Sequence, residues 1–149
     1  MAKGEQLAMG TVDVVPSISF TVYGTPVPQG SMKAFLRPGS KFPVVTSDNK
    51  KLKPWRQEVT LCAMKVFRAP VLKPRALWVN VLFFLSRPPS KSVKIEYPGT
   101  KPDIDKLLRG VLDALTGVAY EDDSQICRVS VQKNYGRPER AEITVGVIG

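Results

Sequence analysis

Residues 17–23 alternate between polar and apolar, with Ile18, Phe20 and Val22 facing one way, and this predicts a half-buried strand. The stretch 24–31 holds Gly24, Pro26, Pro28 and Gly30 and reads as turn chemistry. Two short extended pieces follow, around 33–36 and 42–46, separated by Pro38 and Gly39. A helix capped by Asp48 or Ser47 is expected to run to about Arg68, with Pro54 in its first turn or breaking a short lead-in, and with Trp55, Val59, Cys62, Ala63, Val66 and Phe67 at helical spacing. Residues 76–85 are apolar at successive positions, which predicts a strand buried on both faces. After a Pro-rich loop, Ile104, Leu107, Leu108, Val111, Leu112 and Leu115 form an apolar stripe for a second helix over 103–115, stopped at Gly117. Residues 126–135 and 141–147 alternate again, and Gly136-Arg137-Pro138 between them predicts a hairpin. The element order β-β-β-α-β-α-β-β describes an α/β (α+β) domain: a single mixed sheet with two main helices packed on it. Trp55 and Trp78 are expected in its core. Residues 1–16 have no period and are expected to be a flexible arm preceding one domain over 17–149.

Composition narrows the chemistry. The chain has 149 residues, 43% of them hydrophobic, enough for an ordinary folded core. It contains no histidine and two cysteines. That excludes Ser-His-Asp and Cys-His catalysis, histidine or Cys-rich zinc sites, and nucleases with a histidine base. Any metal must be held by oxygen. No stretch approaches the roughly 18 apolar residues of a membrane helix, and residues 1–10 lack an apolar signal core. The expected location is therefore the cytoplasm, with reduced cysteines.

Charge is distributed unevenly. The net charge is +9, but residues 103–123 hold 6 acidic and 2 basic residues, whereas residues 1–102 hold 16 basic and 5 acidic ones. A basic body favours a polyanion through phosphate contacts. An acidic island would repel that polyanion unless a cation sits between them. Asp105, Arg109 and Asp113 follow at i, i+4 and i+8 on one helix face, and Asp103 stands at the capping position. Glu121, Asp122 and Asp123 come after the helix, where the chain has turned back and can approach the first pair; Asp122 and Asp123 point in different directions, so only one of them is expected to join a shared site. Converging carboxylates suit a hard divalent cation, Mg²⁺ or Mn²⁺ in its place. A helix cap, a salt bridge and an acidic turn account for the same residues, so spacing alone leaves both readings open.

The segment Lys101-Pro-Asp-Ile-Asp-Lys-Leu-Leu-Arg-Gly-Val-Leu-Asp-Ala-Leu-Thr-Gly117, followed by Tyr120-Glu-Asp-Asp-Ser-Gln-Ile126, closely resembles the RusA-type crossover-junction endodeoxyribonucleases, a family of Holliday junction resolvases frequent in phages and prophages. A weaker likeness lies in the P-x-P-Q-G-S loop after the first strand. The resemblance implies a homodimer that binds four-way DNA junctions and makes paired, symmetric nicks with Mg²⁺, in recombination and repair. It implies Asp103, Asp105 and Asp123 as metal-binding acids, with Asp113 and Asp122 in supporting roles. No nucleotide cofactor is implied. Two positions depart from the family pattern: Lys106 stands where the family has Asn, and Arg109 where it has a catalytic Lys. Arginine keeps the charge for a phosphate oxygen but does not readily donate a proton.

Candidate phosphate contacts are Lys33, Lys101, Lys106 and Arg109 beside the acids, Lys91 and Lys94 in the preceding loop, and the cluster of Lys50, Lys51, Lys53 and Arg56. Phe35 and Tyr23 are candidates to stack on an unpaired base, with burial in the core as their expected fate. Two other functions share these features. One is a non-catalytic protein that binds branched or single-stranded DNA. The other is a broader flap or nicking nuclease.

Overall fold

A computed structural model describes residues 17–30, 32–36, 38–39, 41–47 and 50–149, with backbone alone at 32–35 and 43–47. The expected arm at residues 1–16 and the expected cap Asp48 lie outside the described residues. In chain order the elements are β1 (Ser17–Tyr23), β2 (Met32–Leu36), β3 (Pro43–Ser47), α1 (Leu52–Met64), β4 (Leu77–Leu85), α2 (Ile104–Leu115), a 3-10 turn (Asp123–Gln125), β5 (Ile126–Tyr135) and β6 (Arg140–Val147).

The main sheet is mixed, four-stranded and ordered β1-β6-β4-β5, while β2 and β3 pair antiparallel as a separate ribbon. β4 runs antiparallel to β6 and parallel to β5. The expected hairpin between β5 and β6 therefore does not form, because β4 lies between them. β4 is the most apolar strand, and the centre of the sheet buries it best. The link from β5 to β6 crosses the end of β4 instead. Gly136 makes the crossing feasible: a Cβ there would stand 2.7 Å from Phe84 Cδ1. The Gly136 amide donates to Leu85 O, and Arg140 stacks over the Phe84 ring at 3.8 Å.

One face of the sheet carries the core. Val79, Val81 and Phe83 of β4 and Ala141, Ile143 and Val145 of β6 point toward α1 and α2 and are buried. The other face is only half-covered. β4 alternates buried and half-buried residues, so the expectation of burial on both faces is corrected. Trp78 stands on that outer face, half-exposed, over Gly146, where a Cβ would come within 2.2 Å of its ring. Trp55 is in the core as expected, with 5% of its surface exposed.

α1 starts at Leu52 after Lys51, which makes no side-chain cap, and ends at Met64, four residues short of the expected Arg68. Ser47 belongs to β3, and the N-cap position of α1 is Lys51. α2 buries Leu107, Gly110, Val111, Ala114 and Leu115, a face turned from its apolar stripe, of which Ile104, Leu108 and Leu112 are half-buried; Gly110 is covered by the loop after β1. Thr60 Oγ1 of α1 donates to Ala114 O at 2.8 Å and ties the two helices together. Gly117, with φ +86°, ends α2 as predicted.

Candidate active site

The loop after β1 crosses α2 and shapes the candidate site. Gln29 N donates to Lys106 O at 2.9 Å, and Gln29 Nε2 donates to Asp113 Oδ2 at 2.7 Å. Arg56 Nη1 donates to Gln29 Oε1 at 3.4 Å. Gly110 leaves room for this loop, since a Cβ there would meet Val27 O at 3.4 Å. Asp113 thus holds Gln29 in place, and Arg56 is spent inside the fold. Glu139 secures the start of the same loop, accepting from Thr25 Oγ1 at 2.6 Å and from Ser86 N at 2.9 Å. These bonds hold its carboxyl below the ordinary carboxylate range.

A second anchor fixes the entry to α2. Lys133 of β5 reaches back to donate to Thr100 O at 2.8 Å and Pro102 O at 2.9 Å. The next residue is Asp103, the N-cap of α2. Its carboxylate makes no capping hydrogen bond, contrary to expectation, and stands exposed with Lys106 Nζ at 3.4 Å. Asp105 is exposed in the first turn, where the helix dipole favours an anion. Arg109 is exposed a turn later. Among the described residues it forms no ion pair within 4 Å, so its charge faces solvent.

Between the loop and the start of α2 lies a cleft of about 520 Å³. Its floor is Pro26, Val27, Pro28 and Pro102, and its rim carries Lys51, Lys101, Lys106 and Asp103. Tyr23, expected in the core, is 62% exposed nearby.

The far end of α2 is built differently. Tyr120 is fully buried, and its hydroxyl donates to Leu112 O at 2.7 Å. Burial, with a smaller effect from the Asp123 charge, pushes its phenol far above the usual range. Gln125 is also buried. It donates to Val71 O and Arg75 O, both at 3.1 Å, and accepts from Asp122 N at 2.9 Å. Asp122 Oδ2 accepts from Ser124 Oγ. Glu121 accepts from Lys73 N at 2.9 Å. Asp123 is exposed at this end.

The two acid groups are not brought together as the sequence reading expected. Asp123 precedes the start of β5, whereas Asp103 stands beside Lys133, near the finish of β5. Ile126 and Lys133 are seven residues apart in an extended strand, about 23 Å. Among the described residues no three acidic or cysteine side chains form a group able to hold a metal ion. The reason is that α2 is a full 12-residue helix and the chain returns beside its C-terminal end.

Of the expected phosphate contacts, Lys101 and Lys106 line the cleft, and Lys94 is exposed and Lys91 half-buried in the preceding loop. Arg87 organises that loop, donating to Ser92 O and Ile95 O and stacking on Tyr135 at 4.4 Å. The side chains of Lys33 and Phe35 lie outside the described residues. Sequence reading missed the positioning roles of Gln29, Lys133, Glu139 and Gln125. Lys133 carried a signal, a charged residue on the otherwise apolar, helix-facing side of an alternating strand.

Sequence comparison decides the family. The Endodeoxyribonuclease RusA family matches residues 24–146. The chain belongs to the RusA endodeoxyribonuclease family. A Bacillus subtilis (strain 168) relative, whose name is Uncharacterized protein YqaN, is 34% identical over 137 residues, covering 86% of this chain and 94% of the relative. The matched span runs from the loop after β1 to β6, so it includes the cleft, both ends of α2 and the Lys133 anchor. Nuclease action on DNA comes with membership of RusA, and no helix among the described residues is long and apolar enough to cross a membrane.

Proposed function

We propose that the chain is a Mg²⁺-dependent, structure-specific endonuclease that resolves four-way junctions by paired symmetric nicks, acting as a homodimer in the cytoplasm during recombination and repair. The observation that carries this reading is the pairing, at the start of α2, of two exposed carboxylates with a rim of lysines. A site that only bound DNA would gain nothing from anions placed there.

The donor set fits a hard cation. Asp103 and Asp105 offer carboxylate oxygens, Asp103 is not consumed by capping, and no thiolate or imidazole competes. A bound Mg²⁺ would supply an acidified water and neutralise charge developing on the phosphodiester. Asp123 completes the set from the second subunit, since within one chain it stands at the other end of α2. Lys101, Lys106 and Arg109 hold phosphate oxygens of the strand to be cut. Arg109 acts by charge, because its guanidinium does not give up a proton. Hydrolysis of this kind leaves a 5′-phosphate and a 3′-hydroxyl.

A second reading, junction binding without cutting, draws support from one contact: Lys106 Nζ occupies a carboxylate oxygen of Asp103 at 3.4 Å. The pair is exposed and worth at most about 1 kcal/mol, so a divalent cation displaces it readily. The test is to incubate the protein with a labelled four-way junction and a matched duplex, in Mg²⁺ or in EDTA. Paired nicks in the junction alone, with Mg²⁺ alone, are expected. Binding without cutting in either condition would overturn the nuclease reading.

A further inference from the structure

We infer that the cleft at the start of α2 is a receptor for one unstacked nucleotide at the branch point of the DNA. This deepens the nuclease reading and rests on it. The cleft is the right size for a small ligand, about 520 Å³ against the usual 300–1,000 Å³ of ligand pockets. Its chemistry is divided. The floor is apolar, formed by Pro26, Val27, Pro28 and Pro102, and offers hydrocarbon surface to a base. The rim carries Lys51, Lys101 and Lys106 with Asp103 among them, and a phosphate attached to that base would draw on Lys101 and on Lys106, whose ammonium now stands 3.4 Å from Asp103.

The shape excludes a paired base. Bases in a duplex are stacked on both sides and present only their edges, so none can reach a concave floor without leaving the stack. Leaving costs least where pairing is already interrupted, as at a crossover. A second hollow adjoins the first. Beyond Thr25 a neighbouring cavity of about 450 Å³ shares Thr25, Val27 and Lys51 and is walled by Tyr23, whose exposed ring can stack on a second base. A short unpaired strand would run from this second cavity past Thr25 and Val27 toward Asp103. Branch selection and cutting would then share one place, with the captured nucleotide next to the bond presented to Asp103 and Asp105.

The support for the loop sets how rigid this receptor is. Gln29 and Glu139 clamp its two ends, to α2 and to the β5–β6 connection respectively. The cleft therefore exists before DNA arrives, which reduces the ordering cost of binding.

The test uses the full chain in EDTA, so no cutting occurs. Four-way junctions carry 2-aminopurine at one crossover position at a time; this base is dim in a stack and bright outside it. The expected result is a rise in emission at one position per strand on saturation with protein, and none for the same base in a duplex. Pro28→Trp, which leaves both clamps intact, is expected to abolish the rise by filling the cleft, measured at protein concentrations that saturate the junction in a gel shift. Lys101→Glu is the second variant, expected to lose the rise without altering thermal stability. A rise unchanged in both variants would overturn the assignment to this cleft. Cutting in Mg²⁺ with no rise at any position would overturn the receptor and leave the nuclease reading standing. A rise without cutting would keep the receptor and sink the nuclease reading.

Discussion

The exposed Asp123 apart, the two ends of α2 use aspartate for opposite purposes. At the C-terminal end, Asp122, Gln125 and Tyr120 are tied into hydrogen bonds, two of them on buried side chains. At the N-terminal end, Asp103 and Asp105 stand exposed, Asp103 on the lysine-rimmed cleft, and the support falls to residues behind them: Lys133, Gln29 and Asp113. A polar group that is satisfied within the fold contributes to stability. A polar group held in place but left open is available for chemistry. The comparison therefore separates residues whose loss should unfold the chain from residues whose loss should silence it.

The largest expected effect is on activity. Asp105→Asn should reduce Mg²⁺-dependent cutting by about a thousandfold, roughly 4 kcal/mol of transition-state stabilisation, with melting temperature and junction affinity unchanged. A fall in melting temperature instead would mean that this end is structural after all. The converse variant is Gln125→Ala. It removes three hydrogen bonds from a buried site and should cost about 2–3 kcal/mol of stability in chemical denaturation, with cutting at low temperature within a few-fold of the parent.

A smaller effect tests the clamp on the cleft loop. The Glu139 carboxyl titrates below its ordinary 4.5 in the folded protein, so its contribution is complete above that value and is lost as pH falls through the lower folded value. Glu139→Gln removes a charged acceptor from a solvent-screened site and should cost at most about 1 kcal/mol near neutrality, and the difference from the parent should shrink in urea titrations as pH falls below 4.5. The smallest effect is expected of Arg109→Lys, which keeps the charge; cutting should stay within about threefold, under 1 kcal/mol. Collapse of activity would show that the site depends on the guanidinium itself.

Much of this was legible in the sequence. Period-two alternation gave β1 its bounds, and the apolar stripe with Gly117 gave α2 within a residue. Strand neighbours were not legible. Alternation says which face is buried, not which strand lies beside which, and the turn-like Gly136-Arg137-Pro138 masked a crossover over Phe84. The end of α1 was overestimated because Val66 and Phe67 continue the apolar spacing past the last helical turn. At the site, the acids and lysines near α2 were visible as residue types. Their grouping was not, because the length of α2 sets Asp123 apart from Asp103, and sequence spacing does not register that separation. The supporting bonds from Gln29, Lys133 and Glu139 join residues distant in the chain and leave no local pattern.

The central claim is that the N-terminal end of α2 is the chemical end. It is tested most directly by titrating Mn²⁺ into the isotope-labelled chain and following paramagnetic broadening of its backbone amide signals. The account predicts that residues 103–106 broaden first, at sub-stoichiometric metal, and that Asp105→Asn removes the effect. Broadening that spares residues 103–106 would contradict it.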